Sequence, residues 1–179
     1  MDRSEVGFAA RITLGSVLRQ TARHPEAEVI DSEALALASD PLQRTDAAIS
    51  LVADAVGRLD PAAASERLRA AERAIVGDDE RGFIRLDWVR AEVELLGGHP
   101  AVAVVHARSA QVAARALGWP RHLAKSALFA GASCAAAGDA GDAALGAAAE
   151  RHLREAFAVA GEIGAVPIAD AARALLDDR

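Results

Sequence analysis

Residues 97–120, GGHPAVAVVHARSAQVAARALGWP, hold a helix stop, a complete helix and a restart. Gly97-Gly98 stop one helix, and Pro100 opens the next at a first-turn position where its missing N–H costs no bond. Leu117-Gly118 close that helix before Trp119-Pro120 restart the chain. The β-branched look of Ala101-Val102-Ala103-Val104-Val105 is too short to outweigh its helical flanks.

The same punctuation recurs on either side. His24-Pro25, Asp60-Pro61, His99-Pro100 and Gly138-Asp139 lie roughly 36 to 40 residues apart, the spacing of two-helix solenoid repeats. Asp40-Pro41 and Asp60-Pro61 are start signals, with Asp capping free N–H groups and Pro at the first helical position. Nine helices are expected, at about 4–22, 24–39, 41–59, 61–75, 81–96, 100–117, 120–137, 142–163 and 167–176, the eighth capped by Asp139 or Asp142. Apolar stripes are expected at Ile12, Leu14, Val17 and Leu18 in the first, and at Phe83, Ile84, Leu86, Val89, Val93 and Leu96 in the fifth. Connections of two to five residues favour antiparallel neighbours. The predicted fold is all-α: four antiparallel hairpins plus a terminal helix, stacked as a short right-handed superhelix in one domain, 1–179.

Composition agrees. Alanine, the best helix former, makes up about a quarter of the chain. A net charge of −6, spread along the chain, lacks the clustered basic stripe of a nucleic-acid surface. Every positive residue except Lys125 is Arg, a bias that high-GC codon usage of a bacterial kind explains. The one cysteine, Cys134, sits in a run of small residues, excludes an internal disulfide and reads as a packed thiol in a reducing compartment. Met1-Asp2-Arg3-Ser4-Glu5 does not resemble a signal peptide, and the longest uncharged runs, about thirteen residues, are too short to span a bilayer. A cytoplasmic location is expected.

Three sets of residues carry a resemblance. Gly131 with Gly138-Asp139 and Ala143, Gly98 with Ala103 and Ala110, and Asp60 with Ala64 and Ala71 resemble the small-residue pattern of tetratricopeptide repeats. Ala113-Ala114-Arg115-Ala116-Leu117-Gly118-Trp119-Pro120, echoed over 158–167, is similar to the Ala-rich repeats of maltose-regulator-type transcriptional activators. The resemblance covers about 11–176. The nucleotide-binding GxxxxGK[ST] run and the basic recognition helix of those activators are absent from these 179 residues.

The sequence carries no recognisable catalytic pattern. The five histidines, His24, His99, His106, His122 and His152, form no HExxH or similar ligand spacing. His24 and His99 fit turn geometry, while His122 and His152, on neighbouring helices, are expected to face solvent. Glu92 and Glu94 diverge on a helix, and Asp78-Asp79-Glu80 suit a helix N-terminus. No enzyme, metal or cofactor is expected.

What the resemblance implies is a concave groove lined by the first helix of each hairpin. Carried over by position, its lining is Asp46, Arg85, Trp88, Glu92 and Lys125, with Arg11 and His122 as outer members. Arg85 and Lys125 would hold a partner carboxylate and Trp88 would anchor it, unless Trp88 is interior core. The expected function is a non-enzymatic scaffold binding a protein or peptide segment, with no direct nucleic-acid or membrane partner. The alternative is a regulatory or sensory module answering to a small ligand. The terminal helices, through Leu14, Leu18, Leu175 and Leu176, are a candidate homodimer surface.

Overall fold

In a computed structural model, which describes residues 3–179 with side chains from Glu5 onward, the chain folds into helices joined by short turns. Met1 and Asp2, part of the segment on which a leader was argued against, lie outside the described residues. Among the described residues there are nine helices and no strand: α1 (Arg3–Gln20), α2 (His24–Leu37), α3 (Pro41–Gly57), α4 (Pro61–Ala74), α5 (Glu80–Leu96), α6 (Pro100–Ala116), α7 (Pro120–Asp139), α8 (Ala143–Glu162) and α9 (Val166–Asp177). The valine-rich run at 101–105 lies inside α6. No helix of the described residues is long and apolar enough to cross a membrane.

The helix starts follow the expected chemistry. Asp40 Oδ1 accepts the Gln43 N–H at 2.9 Å, and Asp60 Oδ1 accepts the Ala63 N–H at 2.9 Å. Asp142, not Asp139, caps α8, taking the Leu145 N–H at 3.0 Å; α7 runs through Asp139. Asp79 accepts the Gly82 N–H at 2.7 Å, so the acidic run before α5 supplies its cap.

The ends of α1, α3, α5, α6, α7 and α8 share one closure. The amide N–H groups of Arg23, Asp60, His99, Trp119, Asp142 and Ala165 each reach back five residues, to Leu18, Ala55, Glu94, Ala114, Ala137 and Ala160. The residue before each is left-handed. Glycine holds that place at 98, 118, 141 and 164, but Ala22 (φ 57°) and Leu59 (φ 56°) hold it after α1 and α3. Those two side chains carry a steric cost that glycine avoids.

By contacts the chain divides into two compact units, one ending at Val89 and one of Arg90–Arg179, with the division inside α5. In the first, α1 packs on α2, α2 on α3 and α3 on α4, while α1 also reaches α3. Ile49, Val52, Ala55, Ala47, Ala64 and Ala71 fill its interior. The α1 stripe departs from expectation. Leu18 is buried, but Leu14 and Val17 are exposed, because α1 packs on one side only. In α5, Ile84, Leu86 and Val89 are buried and Phe83 is exposed.

In the second unit α6 packs on α7, α7 on α8 and α8 on α9. The α7–α8 pair shows its register: Gly131 faces Leu153 and Gly138 faces Gly146, while Ala127 clusters with Ala156 and Ala124 with Ala160. One set of positions rises as the other falls, so the helices are antiparallel. Ala91, Ala103, Ala107 and Ala130 form a further all-alanine cluster. Ala103, Ala110, Ala64 and Ala71 are fully buried, as the small-residue pattern requires, but Ala143 is exposed and Gly146 makes the close approach instead. Cys134 is buried among Val104, Ala137 and Ala149, and burial raises its thiol pKa, so it stays protonated and inert.

Candidate functional site

Two of the expected groove residues meet in the first unit. Asp46 on α3 lies under two guanidiniums from successive turns of α5, Arg81 and Arg85. Arg81 Nη1 donates to both carboxylate oxygens, at 2.8 and 3.2 Å, and Arg85 Nη1 donates to Oδ1. Arg85 Nη2 reaches Ser50 Oγ at 3.4 Å, one turn along α3. Helical spacing explains the match, since positions four apart on each helix share a face. Burial pushes the Arg85 guanidinium below its ordinary value and Asp46 partly offsets this. Arg81 is different: half of its side chain remains exposed, 51 %. Two cations on one carboxylate leave a net positive charge, and the solvent-facing share of it sits on Arg81.

The other expected lining residues are placed as follows. Trp88 is 8 % exposed, so it serves the interior and offers no free face for an anchor. Arg85, whose role was to hold a partner's carboxylate, is occupied by Asp46. Glu92 lies on α5 and is half-buried, in the second unit. Lys125, half-buried on α7, holds its Nζ 5.5 Å from the centre of the Phe129 ring, a cation–π geometry. Arg11 donates from Nε to Glu33 at 2.9 Å and from Nη1 to the Gly7 carbonyl at 3.2 Å. His122 packs its ring on Trp119, with centroids 5.2 Å apart. His152 corrects an expectation. It is buried rather than solvent-facing, and neither ring nitrogen has a hydrogen-bond partner. Burial, then the charges of Arg151 and Arg108, lower its pKa and favour the neutral ring.

A second polar group lies deeper in the first unit. Asp31 on α2 and Asp54 on α3 are both fully buried, and Arg19 of α1 contacts both through Nη1, reaching Asp54 Oδ1 at 3.0 Å. Gly15 lies one turn before Arg19, and a Cβ there would collide with the Asp31 carboxyl. The small residue makes the space the carboxyl fills. Helix periodicity gives no sign of this cluster, because its members interrupt apolar faces instead of extending them. The usable signal is Gly15 on α1 combined with Asp54, a single charge in an otherwise apolar stretch of α3; Asp31, beside Ser32 and Glu33, gives none.

Among the described residues, no group of three or more His, Cys, Asp or Glu could hold a metal ion. An open depression runs along one face of α1, lined by Val6, Ala9, Ala10, Thr13, Leu14 and Val17. Of the four leucines expected at a dimer surface, Leu14 is exposed, Leu175 and Leu176 are half-buried and Leu18 is interior. Compared with protein-family models and with curated proteins, the chain matches none.

Proposed function

We propose that this chain is a non-enzymatic helical-repeat scaffold, of the tetratricopeptide-like kind, that binds a protein or peptide segment carrying a carboxylate. The observation that carries the reading is the Asp46–Arg81–Arg85 group. Arg81 is a half-exposed guanidinium, aligned by a carboxylate it already contacts through both oxygens, with a second cation behind it. A side-chain or terminal carboxylate of the partner completes the charge balance by pairing with Arg81, and the ordered fork lowers the entropy lost on binding. Antiparallel hairpins suit this role because the packed helix faces hold the exposed ones in place. Binding would be moderate and salt-sensitive, since the contact is near solvent.

The test is affinity capture from the native host with wild-type protein and with Arg81→Gln. The proposal expects loss of the exposed charge to remove specific partners at nearly unchanged thermal stability. Identical partner sets would refute the role of Arg81. A homodimer through the exposed face of α1, at Val6, Leu14 and Val17, belongs to the same proposal, as does a cytoplasmic setting. Sedimentation of wild type against Leu14→Glu measures the dimer directly.

A further inference from the structure

The Arg19–Asp31–Asp54 group presents a charge problem. Two carboxylates without solvent exposure are served by one guanidinium. The other nearby cations make no contact with the pair: Arg58 and Arg67 hold Glu28 one turn away along α2, and Arg81 and Arg85 hold Asp46, their excess positive charge facing solvent at Arg81. Arg85 acts on Asp31 only at a distance. With both carboxyls ionised, the group would carry an uncompensated negative charge in a dry interior, where such charge is costly.

The hydrogen bonds of the group point the same way. Arg19 takes Asp31 Oδ2 and Asp54 Oδ1. Asp31 Oδ1 and Asp54 Oδ2 are left buried with no donor. Two acceptors with no hydrogen between them are satisfied at once if one carboxyl carries a proton and donates it to the other. The two side chains are within hydrogen-bonding reach of each other.

We propose that Asp31 and Asp54 share one proton, and that this proton makes the packing of α1, α2 and α3 sensitive to pH. One carboxyl protonated, the group is neutral and fully hydrogen-bonded. Both ionised, it repels itself across the helix contacts that Gly15 keeps close. Burial, outweighing the pull of Arg19, raises the affinity of both carboxyls for protons, and holds Asp54 at about 7. The sign follows from linkage. An unfolded aspartate gives up its proton near pH 4, whereas the folded pair keeps it towards neutrality. This part of the stability is therefore greatest at low pH and is lost as pH rises from about 4 to about 7.

Trp88 reports on this unit if Trp119 is replaced, because these are the two tryptophans of the chain. In full-length protein carrying Trp119→Phe and His152→Leu, which removes the opposing titration of the buried imidazole, the Trp88-monitored Tm should fall by about 4 °C or more between pH 5 and pH 8. Adding Asp54→Asn, which imitates the protonated carboxyl, should flatten that dependence. A Tm that is level from pH 5 to 8, or an Asp54→Asn variant that keeps the slope, overturns the proposal. A second measurement needs no substitution. The carboxyl-carbon NMR signals of Asp31 and Asp54 in wild type should titrate as a coupled pair with one step near neutrality. Both signals at the ionised position throughout pH 5 to 8 would also overturn it.

Discussion

Gly138 of α7 and Gly146 of α8 approach backbone to backbone: a Cβ on Gly138 would lie 2.5 Å from the Gly146 Cα. The reverse addition meets the Gly138 Cα at 2.9 Å. Nothing flexible can move aside there, because both obstructing atoms are main chain.

Gly138→Ala is therefore expected to force the α7–α8 hairpin apart and to cost about 1–3 kcal/mol. Gly131→Leu belongs to the same class, since even a Cβ at Gly131 would sit 2.6 Å from the Leu153 side chain and 3.1 Å from its amide nitrogen. Urea unfolding of both variants measures this. Wild-type stability in Gly138→Ala would show that the hairpin does not close as described.

Leu59→Gly should stabilise the protein by about 1 kcal/mol, because Leu59 combines φ 56° with a side chain 75 % exposed. Little contact is lost and the left-handed strain is removed. A lowered midpoint of chemical unfolding would contradict this assignment.

Trp88→Ala should destabilise by about 3–5 kcal/mol, the cost of emptying a core aromatic at a residue 8 % exposed. Arg81→Gln, which removes the exposed charge without reversing it, should cost about 1 kcal/mol or less, the value of a half-exposed ion pair to Asp46. Comparing the two thermal melts separates an interior residue from a surface one. A stable Trp88→Ala variant would return Trp88 to the list of partner contacts.

His152 gives the second unit a pH limb of opposite sign to that of the aspartate pair. Its folded pKa is lowered by burial and by Arg151 and Arg108. The unfolded ring takes up a proton below about pH 6.5 while the folded ring resists it. Stability from this residue is complete above about pH 6.5 and declines as pH falls. His152→Leu fills similar space without unpartnered nitrogens, so it should remove this limb and hold or raise stability at neutral pH. An unchanged acid slope in that variant would show that the ring is already charged in the fold.

The helices were legible because their limits are local. Asp40-Pro41 and Asp60-Pro61 act within one turn, and so do Gly98 and Gly118, which is why boundaries fell within about two residues of expectation. Burial was less legible. Ile12, Leu14, Val17 and Leu18 satisfy an apolar stripe, yet α1 has helices on one side only, and the pattern cannot state which half is covered. Ala143 and Gly146 are both small, and the choice between them depends on the crossing point of two helices. Asp46 and Arg85 are both expected as groove lining, but that they pair with each other is a fact of side-chain reach. Arg19, Asp31, Asp54 and His152 escape sequence reading for one reason: charge and imidazole are read as solvent-facing, and here Asp31, Asp54 and His152 are buried and Arg19 is half-buried against them.

The most direct test of the packing is a methyl NOE experiment on alanine-labelled protein. Cross-peaks between Ala127 and Ala156, between Ala124 and Ala160, and among Ala91, Ala103 and Ala107 are expected from the buried alanine clusters. Absence of the Ala127–Ala156 and Ala124–Ala160 peaks, with the assigned methyls otherwise visible, would contradict the antiparallel small-residue hairpin on which the whole reading rests.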